Sequence, residues 1–353
     1  MKHQGPKILA TSTAVPKYTK DTSEILSDIG EHLKDHDERF RRKVLRIFEY
    51  AQVDRRYSIM PSDQVLAPLS FEEKNDTYVE NVKILGQQVL SDALEKAKLS
   101  PKDMDFIITV SCTGFMIPSL DAYLINAMDM KQDIMRLPVT EMGCAAGVSA
   151  MIYAHQFLRA DPNKRAAIVS VESPMSTFQH NDFSMANMVS AAIFGDGAAC
   201  VILGPSDEVA PTLVDSEMFH FHDEIDMMGF KLTNAGFQMI LSPEVPTKIE
   251  ERFGDILHPF LAKNDLAIGD IDHLIFHPGG KKIVQLVEKL FAEMNQNLDD
   301  TKEVLRLFGN MSSATVLFVL DRLMTRGAKE GDRGLMLSFG PGFSAQRVLL
   351  EWK

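Results

Sequence analysis

Short apolar runs alternate with longer amphipathic stretches along most of this chain. One amphipathic stretch, ending LEKAKLSPKDMD, leads into the apolar run FIITV, and a later one, HPFLAKNDLAIGDID, leads into HLIF. Apolar positions three or four residues apart are typical of helices that pack on a core, and short runs rich in β-branched residues are typical of buried strands. Each unit therefore predicts helix, turn and strand, and their alternation predicts an α/β fold with largely parallel sheets.

The order of these elements occurs twice. Residues 98–204 are echoed by residues 266–352, in the order of the elements rather than in identity. GCAAGVSAMIYAHQFL corresponds to GNMSSATVLFVLDRLM, KRAAIVSVES to GDRGLMLSFGPG, and AACVILG to AQRVLLEW. Such self-similarity indicates a duplicated structural unit. We therefore predict two halves, residues 1–205 and 206–353, joined through the polar segment GPSDEVAP, with Cys144 and Asn310 at equivalent places.

The composition and net charge argue against some kinds of binding partner. The 353 residues are 45% hydrophobic and carry a net charge of -12, which argues against nucleic acid or an anionic membrane as a partner, because either requires a basic face. No apolar stretch approaches the length of a membrane span, and the chain begins without the apolar core of a secretory signal. We therefore expect a cytoplasmic protein. Its three cysteines lack CxxC spacing and predict neither a disulfide framework nor a metal site.

Cys144 has the setting of a nucleophile. It lies in EMGCAAG, where Gly143 and the two alanines permit a tight turn from strand into helix. Unsatisfied backbone N–H groups at the start of a helix favour negative charge and so stabilise a thiolate. The ordinary alternative is a small buried core residue, which is what most free cysteines are.

Two further polar residues lie at the ends of apolar elements. His277, in LIFHPGG, follows a buried strand, and ligands of α/β proteins usually meet the carboxyl ends of strands. A histidine there can pair with a thiolate as an imidazolium and donate to a carbonyl oxygen, or it can simply cap the turn. Asn310, in FGNMSSAT, opens an apolar helix, where asparagine is also a common N-cap. The combination of these residues with Cys144, rather than any one of them, indicates a catalytic site.

Five motifs carry a resemblance to a known family. GCAAG, FGDGAA, HPGG, GNMSSAT and FGPG occur in the order and approximate spacing of the type III polyketide synthases, the chalcone-synthase-like branch of the thiolase superfamily. The resemblance covers essentially the whole chain. It implies a thiolase-like, five-layered α/β/α/β/α fold, a homodimer, and a catalytic triad of Cys144, His277 and Asn310.

The resemblance also implies a reaction. Cys144 would accept the starter acyl group from an acyl-CoA, and His277 and Asn310 would donate to the thioester oxygen of malonyl-CoA as carbon dioxide leaves. The resulting enolate would extend the acyl chain iteratively, before closure to a pyrone, a resorcinol or a small phenolic. CoA thioesters are the implied substrates, and no metal or other cofactor is implied.

Binding residues follow from the same resemblance. Lys43 and Arg46 would bind the CoA phosphates from one helix face, and a third family cation is replaced by Tyr50, with Arg55 and Arg56 nearby as candidate replacements. The gate between the CoA tunnel and the reaction chamber would be formed by Phe194 and Phe237. The chamber itself would be lined by Cys112, Thr113, Thr177, Met228 and Ser312.

Two departures from the family pattern bear on the product. The family loop GFGPG reads SFGPG here, and Ser338 is tolerated if its φ is not positive. Met228 stands where plant chalcone synthases carry a small glycine. A bulkier lining would restrict polyketide size or redirect the chain.

Two other functions use the same residue types. A ketoacyl synthase of the kind that starts fatty-acid synthesis shares the Cys, His and Asn set, but it usually has HQAN where this chain has HPGG, and it condenses onto acyl carrier protein. A papain-like hydrolase uses the three residues in this chain order, but the duplicated α/β pattern and the absence of Trp beside Cys144 do not fit its signature. HPGG together with FGPG favours CoA-dependent polyketide synthesis.

Overall fold

The computed structural model describes residues 5–292 and 298–353. The strands are β1 Lys7–Ala14, β2 Tyr18–Asp21, β3 Arg55–Ser58, β4 Phe106–Val110, β5 Met135–Val139, β6 Ala166–Glu172, β7 Gly197–Gly204, β8 Pro211–His220, β9 Met228–Thr233, β10 Gly236–Leu241, β11 His273–Phe276, β12 Arg333–Gly340 and β13 Ser344–Trp352. The helices are α1 Thr22–His32, α2 Glu38–Tyr50, α3 Ser62–Val65, α4 Phe71–Ala97, α5 Leu120–Ala127, α6 Ala146–Ala160, α7 Met185–Ile193, α8 Val245–Ala262, α9 Lys281–Leu290, α10 Asp299–Phe308 and α11 Thr315–Arg326. Among these described helices, none has the length and apolar character needed to cross a membrane.

Nine strands form the main sheet, in the order β11-β12-β13-β8-β1-β7-β6-β4-β5. β1 and β8 meet through a single residue pair, Lys7 with Thr212, and so divide the sheet into two blocks. In one block β4 runs parallel to β6, and β6 runs antiparallel to β7. In the other block β11 runs parallel to β12, and β12 runs antiparallel to β13. The order β4-β6-β7-β1 in one block corresponds to β11-β12-β13-β8 in the other, so the predicted duplication is confirmed over four strands of each block.

The helices α6 and α11 form the layer between the two blocks. Their side chains share one buried apolar cluster with inward-facing residues of both blocks, such as Ile168 of β6 and Met336 of β12. β6 and β7 are buried along their whole length, because helices cover both of their faces. α4 packs on the outside of β1, β6 and β7, and α8 and α9 pack together outside the second block. The layers therefore follow the predicted order α/β/α/β/α.

Both central helices begin with a turn of 3-10 helix. Gly143–Ala145 precedes α6, and Ser312–Ala314 precedes α11. The first residue of each turn has a φ of 49°, so the two turns correspond residue by residue, and Cys144 corresponds to Ser313. Asn310 lies three residues before that position, so the predicted equivalence of Cys144 with Asn310 is wrong. The sequence comparison matched the leading glycines, whereas the fold matches the backbone turns.

Candidate active site

Cys144 is the second residue of the turn that begins α6. The residue before it, Gly143, has to be glycine, because its φ is 49° and a Cβ there would lie 2.7 Å from Cδ of Pro341. The Cys144 side chain is half-buried, with Sγ 3.7 Å from Oγ of Ser312. Burial raises the pKa of the Cys144 thiol to about 11, and hydrogen bonds to Ser312 and Asn310 lower it only in part. The sequence predicted a thiolate at the start of the helix. Desolvation of the sulfur outweighs the stabilisation of negative charge by the helix N-terminus, so the thiol is favoured.

The backbone of Asn310 is anchored to the end of α7. Its N–H donates to O of Ile193 at 2.7 Å, and its O accepts from N–H of Gly195 at 3.2 Å. Its Oδ1 accepts from the backbone N–H of Ser312 at 2.8 Å, whereas the N-cap residue of the turn before α11 is Met311, so Asn310 is not the ordinary N-cap considered from the sequence. Its Nδ2 donates to O of Gly279 at 3.4 Å. The second hydrogen on Nδ2 is left for the neighbouring thiol or for a substrate.

His277 follows β11 directly. Its backbone N–H donates to O of Leu337 at 3.0 Å, so the pairing of β11 with β12 extends one residue beyond the strand. The residue is 3% exposed, and neither ring nitrogen has a hydrogen-bond partner among the described residues. Burial lowers the pKa of His277 to about 3, so the resting imidazole is neutral. A neutral ring with a free N–H suits donation to a substrate oxygen, rather than the imidazolium pair considered from the sequence.

A short series of contacts brings these residues to one place. Cys144 contacts Ser312, whose backbone N–H is bound by Asn310. Asn310 reaches Gly279, whose N–H donates to O of His277 at 3.0 Å. Three segments that are far apart in the chain therefore meet in one buried cluster. Ser312, at its centre, has a φ of 49°, which is uncommon for a residue with a Cβ.

Glu172, which the sequence analysis missed, lies behind this cluster at the end of β6. It is fully buried and accepts from the backbone N–H of Cys112 at 3.0 Å and from Oγ1 of Thr113 at 2.9 Å. The hydroxyl of Ser313 also donates to it, and burial raises the pKa of Glu172. Sγ of Cys112 lies 3.4 Å from Oγ of Ser312, so three of the predicted chamber residues do lie around the cluster. A carboxylate at the end of the mostly apolar strand AAIVSVE was the available signal in the sequence.

The two predicted gate residues have different surroundings. Phe194 pairs with Asn310 through a backbone bridge, which places it beside the cluster. Phe237 lies on β10 and lines a small cavity together with Thr113. Its ring also lies 5.4 to 5.6 Å, between centroids, from three others: Phe71, Phe115 and Phe230. Phe237 thus belongs to an aromatic cluster, and no described contact joins it to the cysteine.

Two predicted lining residues, Thr177 and Met228, form no hydrogen bond with the cluster among the described residues. Thr177 is buried and donates to O of Pro174 at 2.7 Å. Met228 is half-buried at the start of β9 and packs against the outer apolar core. Ser338 lies within β12 and does not have a positive φ, which meets the condition for a serine at that place.

The predicted CoA-binding cations lie on α2. Lys43 and Arg46 are both exposed, and within residues 5–292 and 298–353 neither forms an ion pair. Tyr50, one turn beyond Arg46, is 59% exposed, with Cζ of Arg46 5.7 Å from the centroid of its ring. The exposed face of α2 therefore offers free positive charge and an aromatic ring.

The two candidate replacements for the third cation are engaged elsewhere. Nε of Arg55 forms an ion pair with Asp21 at 2.8 Å. Arg56 is buried and donates to Oγ1 of Thr22 at 2.9 Å, and burial lowers the pKa of Arg56 to about 10. Both guanidinium groups therefore serve contacts within the fold.

A cysteine, a histidine and an asparagine that meet between two duplicated α/β halves define a condensing enzyme of thiolase-like fold. Two family models match the chain: FAE1/Type III polyketide synthase-like protein over residues 14–212, and chalcone and stilbene synthases, C-terminal domain, over residues 217–352. The chain belongs to the type III polyketide synthase family. It is a malonyl-CoA-dependent acyltransferase.

Relatives extend this similarity along the whole chain. The 1,3,6,8-tetrahydroxynaphthalene synthase of Streptomyces peucetius is 32% identical over 99% of this chain and 94% of its own length. The phloroglucinol synthase of Pseudomonas fluorescens is 29% identical over 87% of this chain and 88% of its own length. The crystal structure of 1,3,6,8-tetrahydroxynaphthalene synthase from Streptomyces coelicolor matches with a TM-score of 0.93 at 30% identity, over 98% of this chain and 99% of that one. The predicted thiolase-like fold is thereby confirmed.

Proposed function

We propose that Cys144, His277 and Asn310 are the catalytic residues of this polyketide synthase. The observation that carries the proposal is their convergence through Ser312 and Gly279 into one buried cluster. In the loading step the sulfur of Cys144 attacks the starter thioester, the C–S bond to CoA breaks, and the thiol proton goes to the departing CoA sulfur. The buried imidazole of His277, whose pKa is lowered to about 3, stays neutral and donates its N–H to the thioester oxygen.

In the extension step the ring N–H of His277 and the second N–H of Nδ2 of Asn310 donate hydrogen bonds to malonyl-CoA. Breaking the bond to the carboxylate releases carbon dioxide and leaves the electron pair as an enolate, whose oxygen accepts hydrogen bonds from the ring of His277 and from Nδ2 of Asn310. The enolate carbon attacks the acyl group on Cys144, and the thiolate departs. Transfer of the longer acyl chain back to the cysteine permits the next round.

The product we propose is a small phenolic built from malonyl-CoA alone. Support comes from relatives named for 1,3,6,8-tetrahydroxynaphthalene and for phloroglucinol. Phe194, beside Asn310, is the better placed of the two gate residues, and Thr177 and Met228 remain proposed as more distant lining.

Substrates bind, in this proposal, as CoA thioesters. Lys43 and Arg46 meet the CoA phosphates from the exposed face of α2, where no acidic side chain among the described residues pairs with them. We propose no metal in the reaction, since decarboxylation and condensation need only the thiol and the two N–H donors. All three cysteines are free thiols, which supports a reducing, cytoplasmic location.

We also propose a homodimer, with the division between the halves near residues 205 and 206. The division is supported by the end of β7 at Gly204 and the start of β8 at Pro211. The dimer is supported by the edge strand β5 and by large apolar side chains exposed around it, namely Ile84, Phe115, Ile117, Tyr123 and Met135. Light scattering on the wild type and on Met135→Lys should report a dimer and a weakened dimer, respectively.

The experiment that tests the function supplies malonyl-CoA with and without a panel of acyl-CoA starters, without carrier protein. Carbon dioxide release and a phenolic product from malonyl-CoA alone, identified by mass, are expected. Cys144→Ala should abolish condensation, and Cys200→Ala, which alters a buried thiol in β7, is the matched control. A Cys144→Ala variant that still elongates would overturn the assignment of the nucleophile.

A further inference from the structure

Tyr50 lies between two cations that come from different parts of the fold. Cζ of Arg46, one turn earlier in α2, is 5.7 Å from the centroid of the Tyr50 ring. Nζ of Lys281, the first residue of α9, is 5.6 Å from the same centroid. The face of an aromatic ring attracts cations at such distances. The ring therefore holds together two positive charges that would otherwise repel each other.

The same helix face carries a third positive charge. Lys43, Arg46 and Tyr50 are spaced by three and four residues, which puts them on one side of α2. The buried residues Val44 and Phe48 fix the opposite side against the core. In the part of the chain that the structure describes, none of the three cations forms an ion pair, although the chain carries a net charge of -12. Clustered cations left without counter-ions are typical of a phosphate-binding surface.

Lys281 belongs to the segment that also carries the catalytic histidine. It follows His277 by four residues, directly after the two glycines of HPGG. The α9 end of this segment therefore meets the cationic face of α2, while its β11 end lies in the active-site cluster. A substrate that reaches from one to the other needs a phosphate-rich end and a long flexible arm ending in a thioester. CoA thioesters have this form.

We propose that Lys281 supplies the third phosphate-binding charge, in place of a cation on α2, and that Tyr50 is the positioning residue that holds it beside Arg46. The inference rests on the proposed function of Lys43 and Arg46. It adds a binding residue from a separate element and explains the tyrosine on α2. Arg55 and Arg56, engaged with Asp21 and within the core, do not fill this role.

Steady-state kinetics of Lys281→Ala test whether the charge of Lys281 binds the CoA phosphates. With malonyl-CoA we expect KM to rise about three- to tenfold with kcat nearly unchanged, the size of one charge contact near the surface. Lys281 is half-buried, and Lys282→Ala, at the exposed lysine that follows it, is the control and should keep the wild-type KM. With malonyl-pantetheine, which lacks the nucleotide phosphates, wild type and Lys281→Ala should have equal kcat/KM.

Variants of Tyr50 test the positioning. Tyr50→Phe keeps the ring and should keep the wild-type KM, whereas Tyr50→Ala should raise it as Lys281→Ala does. The double variant Tyr50→Ala, Lys281→Ala should be no worse than the poorer single variant, because the ring acts through the lysine. Fully additive effects would overturn the coupling.

The outcomes separate this inference from the proposed function. If the wild type consumes malonyl-CoA and Lys281→Ala has the wild-type KM, or if the variant loses activity equally on malonyl-pantetheine, then Lys281 does not bind phosphate and the inference is overturned. A wild type that does not consume malonyl-CoA at all would instead overturn the proposed function.

Discussion

The hydroxyl of Ser312 lies 3.7 Å from the Sγ of Cys144, and it is held there by a backbone with a φ of 49°. A left-handed conformation costs about 1 kcal/mol or more for a residue with a Cβ. The fold retains this strain at the turn that connects the thiol to Asn310. Position and strain together make Ser312 a direct probe of the site.

Replacing Ser312 separates the strain from the hydrogen bond. Ser312→Gly should be more stable than Ser312→Ala by about 1 kcal/mol, because glycine adopts a positive φ without strain. Both variants lose the hydroxyl and should slow condensation to a similar degree. Urea unfolding and rates of carbon dioxide release measure the two effects, and equal stability of the variants would contradict the strain.

Gly143 is predicted to tolerate no side chain. Gly143→Ala combines a positive φ with a Cβ 2.7 Å from Cδ of Pro341, so we expect a loss of about 2–4 kcal/mol in stability, with condensation largely lost as Cys144 shifts. Gly269→Ala is the control, since a Cβ there meets nothing within 4 Å. The expected change for the control is within about 0.5 kcal/mol by chemical unfolding. A Gly143→Ala protein as stable as the control would contradict the predicted clash between its Cβ and Pro341.

The buried His277 should make stability depend on pH in acid. Its pKa is about 3 in the folded protein against 6.5 ordinarily, so between these values the unfolded chain binds a proton that the folded chain does not. Stability should therefore fall as pH falls from 6.5 towards 3, by at most about 1.4 kcal/mol per pH unit from this residue. Urea midpoints of His277→Asn should fall less steeply over this window. His222→Gln, at an exposed histidine, should keep the wild-type slope, and identical slopes in all three proteins would exclude the effect.

Arg55 and Arg56 should respond differently from the cations on α2. Arg55→Ala should leave the KM for malonyl-CoA unchanged, because its guanidinium pairs with Asp21. Arg56→Ala should lower stability by about 2–4 kcal/mol, because it removes a buried group and leaves its acceptors unpaired. Kinetics measure the first result and thermal unfolding the second. A raised KM for Arg55→Ala would show that Arg55 binds the substrate.

Much of the fold was predictable because its strands are buried on both faces. The apolar runs that became β4, β6, β7, β11, β12 and β13 were recognisable, and so was the link between Gly204 and Pro211. The repeat was correct in its order of elements. It failed at single-residue precision, since Cys144 matches Ser313 and not Asn310, and a glycine in one half is replaced by a strained serine in the other. Backbone φ values are not visible in a pattern of residue types.

The sequence by itself determined the layers, the family and the three residue types that family chemistry requires. Only the tertiary structure decided the protonation states of these residues and which side chains contact them. Whether a thiol ionises depends on desolvation, which follows from packing by distant segments, so a helix start that predicted a thiolate holds a thiol whose pKa is raised. The contacts of Glu172 with Cys112 and of Lys281 with Tyr50 likewise join segments that are far apart in the chain, and no local spacing encodes them.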